Sequence, residues 1–209
     1  MGNVFGAEFR RVENREHLGK PALVAVAIRT YDTDVDDLWD AITTPERLAR
    51  WFLPVEGDLS LGGRYQLKGN AGGTITRCDA PEALDLTWEI MGGTSWVTLR
   101  LDADGDRARL TLEHIAHRDG IGEDHLKKFG PGAVGIGWDL TLHGLERHLA
   151  APAAVMDPAE AEAWARSSEG KAFIRESGEG WYEAHAASGE DRDQARAQAD
   201  RTIAFYTGT

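Results

Sequence analysis

From residue 55 to 117 the chain alternates apolar and polar positions, and turn signals cut the alternation into short pieces. Leu84, Leu86, Trp88 and Ile90 share one face; so do Val97, Leu99 and Leu101; so do Ala108, Leu110, Leu112 and His114. A period of two belongs to strands with one buried face, because successive side chains point to opposite sides of a sheet. The pairs Gly62-Gly63, Gly72-Gly73 and Gly92-Gly93 mark turns, as do Pro81-Glu82 and Asp104-Gly105-Asp106. The spacing predicts strands at 64–69, 74–78, 84–90, 96–101 and 108–114. Strands joined by turns this short pair as an antiparallel meander.

The flanks read differently. The apolar run 23–28, ending at Tyr31, is short and rich in branched residues, so it predicts one more strand. Asp32 to Asp34 supplies caps for a helix carrying Val35, Leu38, Trp39 and Ile42, and Pro45 starts a short helix through Leu48 and Trp51. Trp138, Leu142, Leu145 and Leu149 form one stripe of a long helix over 132–149. Residues 1–21 are polar and mixed and read as an irregular arm. After Pro152 the chain is rich in Ala, Glu, Arg and Asp, with aromatics at Trp164, Phe173, Trp181, Tyr182, Phe205 and Tyr206. Two or three amphipathic helices are expected there, docked on the main body through those rings. The aromatics would cover a cavity entrance or form the seam of a homodimer. The division expected is an arm at 1–21, a domain at 22–150 and a helical extension at 151–209. The fold class is α+β, with helices on one face of a curled antiparallel sheet.

Composition removes whole classes of function. The chain has 209 residues, 42% hydrophobic and 28% charged, which suits a globular domain. Its net charge of −12 argues against nucleic acid and anionic membranes, both held by Lys and Arg. No apolar run reaches membrane-spanning length, so no membrane insertion is expected. No signal-type apolar stretch opens the chain, and MGNVFG has Gly6 where a myristoylation motif needs Ser or Thr. A cytoplasmic protein is expected. The one cysteine, Cys78, makes no intramolecular disulfide or cysteine-built zinc site.

The stretch Thr44-Pro45-Glu46-Arg47-Leu48-Ala49-Arg50-Trp51-Phe52 resembles a P-E-x-L-x-x-W segment of proteins similar to the activator of the heat-shock-protein-90 ATPase, within the START-like (SRPBCC) superfamily. The likeness continues through Gly57-Asp58-Leu59, Gly62-Gly63-Arg64-Tyr65, Pro81-Glu82, Leu86-Thr87-Trp88, Ser95-Trp96-Val97-Thr98-Leu99, Leu110-Thr111-Leu112-Glu113-His114 and Gly137-Trp138. It covers roughly residues 20–150. The resemblance implies a helix-grip fold, in which a curved antiparallel sheet wraps a long helix and leaves a cavity. It also implies a small apolar or aromatic ligand, with Trp39, Trp51, Phe52, Tyr65, Trp88, Val97, Leu99, Leu112, His114, Trp138, Leu142 and His143 lining the cavity. Core packing alone would account equally well for any one of the aromatics. An enzyme of the polyketide cyclase or aromatase type uses the same fold, and would need convergent polar groups such as His114, His143 or Tyr65. A chaperone-cofactor role ranks third, since that name describes a longer protein with a further N-terminal domain.

Other motifs carry less. His114-Ile-Ala-His117 has metal-ligand spacing, but residues three apart on a strand face opposite ways, and His143 and His148 diverge on a helix, so no metal is expected. Gly130-Pro-Gly132-Ala-Val-Gly135 spells G-x-G-x-x-G without the strand that a dinucleotide site requires, and reads as a flexible lead-in to the long helix. No cofactor is expected.

Overall fold

A computed structural model describes residues 6–119 and 123–209. Residues 1–5, which carry most of the MGNVFG start, lie outside the described residues. Eight antiparallel strands form one curved sheet in the order β1-β2-β8-β7-β6-β5-β4-β3. They are β1 (Phe9–His17), β2 (Lys20–Tyr31), β3 (Val55–Gly57), β4 (Arg64–Leu67), β5 (Gly72–Asp79), β6 (Ala83–Ile90), β7 (Gly93–Asp104) and β8 (Arg107–His117). Between β2 and β3 lie α1 (Val35–Thr43) and α2 (Pro45–Trp51). After the sheet come α3 (Glu123–Phe129), α4 (Gly132–Ala150), α5 (Pro158–Arg166), α6 (Ser168–Ala187) and α7 (Arg192–Thr207). This is the helix-grip α+β arrangement, with α4 as the gripped helix. No helix among the described residues is long and apolar enough to cross a membrane.

Local chemistry sets the elements. The Asp34 carboxylate caps α1, accepting the Asp37 N–H at 2.8 Å. Pro45 sits at the start of α2, where its missing N–H is harmless. The Gly72-Gly73 pair lies inside β5 rather than in a turn. A Cβ on Gly73 would stand 2.0 Å from the Thr87 carbonyl oxygen, so glycine there lets the β5 and β6 backbones close up. A register shift between Ile75 and Arg77 bends the same strand.

The arm reading of residues 1–21 is corrected. Residues 9–17 pair with β2 along their whole length, from Phe9 opposite Ile28 to His17 opposite Lys20. β1 is an edge strand with polar residues on both faces, most of them exposed, and Val12 is its buried anchor.

α4 is buried on two sides. Trp138, Leu142 and Leu145 face the sheet, while Gly135, Ile136 and Asp139 face α6. A Cβ on Gly135 would stand 2.3 Å from the Trp181 ring. The G-x-G-x-x-G stretch is therefore a close-packing seat rather than a flexible lead-in. Asp139, wholly buried, accepts from the Ala7 N–H at 2.8 Å, Arg10 Nε at 2.8 Å, Trp181 Nε1 at 3.0 Å and the Ser177 hydroxyl. One carboxylate thus joins β1, α4 and α6. The three helices after Pro152 dock as expected, with Phe173 and Trp181 fully buried. These two rings fill the far side of α4, away from the cavity; Phe205 stays 70% exposed.

Candidate functional site

Between the concave face of the sheet and α1, α2 and α4 lies a cavity of about 340 Å³. Its shape follows from the alternation: the inward residues of β6, β7 and β8 form the floor, and the sheet-facing stripe of α4 forms the roof. Ten of the twelve residues expected to line it do so: Trp39, Trp51, Phe52, Tyr65, Trp88, Val97, Leu99, Leu112, Trp138 and Leu142. Cys78 and Ala80, both exposed, mark where it reaches solvent. The lining also takes in Leu84 and Leu86, on the shared face that the β6 alternation marks, together with Ile75 of β5 and Thr141, one turn beyond Trp138.

The wall is apolar, and no charged side chain among the described residues lines it. Its polar groups are mostly spent within the protein. Thr43 donates to the Trp39 carbonyl at 2.7 Å, Tyr65 to the Thr87 carbonyl at 2.7 Å, and Thr141 to the Gly137 carbonyl at 2.9 Å. Trp51 Nε1 donates to the Ala41 carbonyl at 3.0 Å. Burial holds the Tyr65 phenol well above its usual range, so it stays protonated.

His114 and His143, the other two of the twelve, stand outside the lining. His114 lies behind the wall, 6% exposed. Trp138 Nε1 donates to its Nδ1 at 3.0 Å, so Nε2 carries the ring proton and donates to Ser95 Oγ at 3.0 Å. The Ser95 hydroxyl donates onward to the Trp88 carbonyl at 3.2 Å. Burial pushes the His114 pKa from 6.5 down to about 4, which keeps the ring neutral. His143 follows Leu142 on α4, and one residue turns a helix by about 100°. That step carries its ring away from the cavity, against Trp164 and Phe173, each with centroids 5.3 Å away, and its Nδ1 meets Glu146 at 3.3 Å. His117 faces the opposite side of the sheet, its ring 4.6 Å from Trp96.

The depressed pKa of His114 makes a pH prediction. Above pH 6.5 the ring is neutral folded and unfolded. As pH falls toward 4, the unfolded chain binds a proton that the folded one refuses, so stability drops. The full effect, below pH 4, is about 3 kcal/mol. Urea denaturation of wild type and His114→Asn between pH 7 and pH 4 is expected to show a steeper loss in wild type. Parallel curves would contradict it.

A protein-family model described as "Activator of Hsp90 ATPase homolog 1-like protein" matches residues 32–150. The chain belongs to that family. This Hsp90-activator-like chain also resembles CalU16 from Micromonospora echinospora at 32% identity. The CalU16 solution structure superposes with a TM-score of 0.71 over 90% of this chain and 100% of that one. Its crystal structure gives 0.66 over 84% and 96%. The likeness therefore reaches beyond residues 32–150, into β1 or the C-terminal helices. DynU16, from the dynemicin biosynthetic locus, shares the fold at 18% identity and a TM-score of 0.52, over 62% of this chain and 48% of that one. No curated protein matches the sequence.

Proposed function

We propose that the protein binds a small, uncharged, apolar or aromatic molecule in the cavity between sheet and α4. The observation that carries this reading is a hollow of about 340 Å³ walled by aromatic and aliphatic side chains. That size sits at the lower end of small-molecule pockets, and so does the ligand it suits. An apolar wall of this extent, left unfilled by the protein's own side chains, is surface that an apolar ligand would cover favourably.

The same wall supports binding over catalysis. A cyclase or aromatase would need convergent acid–base groups. Tyr65 donates its hydroxyl to the backbone, His114 is held behind Trp138, and His143 points elsewhere. Calorimetric titration with 2-naphthol, an uncharged flat probe, tests the reading. One saturable site with a negative heat-capacity change is expected. No saturable heat in the soluble range of the probe would overturn it.

A further inference from the structure

We propose that His114 is a positioning residue that sets the shape preference of the cavity by fixing the corner made by Trp88 and Trp138. The inference rests on reading the cavity as a ligand site. The two indoles stand with centroids 5.2 Å apart and planes at 61°, one edge toward the other face. His114 is not part of the lining, yet it touches both rings, with centroids 6.3 Å from Trp88 and 6.0 Å from Trp138.

An indole has one hydrogen-bonding atom, so one acceptor suffices to fix how the ring is turned. His114 Nδ1 is that acceptor for Trp138. Through its other nitrogen His114 holds Ser95, and Ser95 holds the Trp88 backbone. A single planar ring thus links both walls of the corner, on β6 and α4, from β8. Leucine would fill the space and supply neither bond. The Trp138 N–H would then face apolar surroundings with no acceptor, and turning the ring to find one would collapse the corner.

A fixed corner offers the face of one ring and the edge of the other. A flat aromatic molecule stacks on the face and meets the edge at once. A globular alicyclic molecule gains only contact area. The wild-type pocket therefore favours flat ligands, and His114 maintains that preference without touching them.

The test compares 2-naphthol with 1-adamantanol, two single-hydroxyl molecules of equal carbon number, by calorimetry. The proteins are wild type, His114→Asn, His114→Gln and His114→Leu. Asparagine places an acceptor near the Nδ1 position; glutamine and leucine do not. Wild type and His114→Asn are expected to prefer 2-naphthol, and the other two to lose roughly fivefold of that preference, the worth of one hydrogen bond. Nitrogen-15 spectra of wild type are expected to show His114 as the Nε2–H tautomer at neutral pH. The Trp138 indole N–H signal should move in His114→Leu and His114→Gln and stay in His114→Asn. The opposite tautomer, or an unchanged preference in a folded His114→Leu or His114→Gln, overturns the inference alone. If wild type takes up neither probe, the ligand-site reading fails and this inference falls with it.

Discussion

Replacing Asp139 with alanine is expected to lower the free energy of unfolding by about 3–5 kcal/mol, the usual loss when one member of a buried charged pair is removed. Asp139 has no exposed surface, and four donors converge on it from three separate parts of the chain. Arg10 comes from β1, the Ala7 N–H from the segment before it, and Ser177 and Trp181 from α6. Without the carboxylate, Ser177 and the Trp181 indole N–H, both essentially buried, lose their acceptor, and each orphaned group adds its own desolvation cost. For a chain of this size the change corresponds to a melting temperature lower by about 6–20 °C. Asp139→Asn keeps the volume but turns one acceptor into a donor that faces donors, so it should also destabilise, by less. Urea denaturation decides the matter: an alanine variant within 1 kcal/mol of wild type would show that the carboxylate is dispensable.

Asp139 also marks where the sequence stops being readable. Strands β6, β7 and β8 were legible because each has one face on the cavity or core and one on solvent, which writes a period of two into the residues. The helix stripe of Trp138, Leu142 and Leu145 was legible for the matching reason. α4, however, is buried on two sides. A second apolar face gives no contrast of its own, so an aspartate on it reads as a surface residue. His143 was misplaced by the same blindness: it adjoins Leu142 in sequence but lies a third of a turn away. β1 was missed because it is a sheet edge, with charged residues on both faces and Val12 alone fully buried along it. The Gly130–Gly135 signal was visible, yet its partner, Trp181, lies more than forty residues on, and no local pattern connects them. Most of the cavity wall, by contrast, could be named in advance, because the resemblance implied it, and on β6, β7 and β8 strand parity agrees with it. Whether those side chains met or left a space depended on how far α4 stands from the sheet, which no local pattern encodes.

That space is what a paired substitution should close. Leu86 on β6 and Leu99 on β7 both line the cavity and are half-buried, their remaining surface facing inward. Changing both to tryptophan puts two indoles into the void. If they displace roughly 100 Å² of ligand contact, at about 25 cal/mol per Å² the loss is about 2.5 kcal/mol, close to a hundredfold in affinity for 2-naphthol. Overpacking a filled core typically costs about 1–3 kcal/mol; here the rings enter space that is already vacant, so stability should stay within about 1 kcal/mol of wild type or rise. The two readouts together separate a pocket from a core. Unaltered stability with lost binding is the signature of a hollow made for a ligand. A folded variant that binds as wild type does would place the ligand elsewhere. A variant crippled in stability would mean that the sheet and α4 already touch across the gap, and that these side chains pack a core rather than line a pocket.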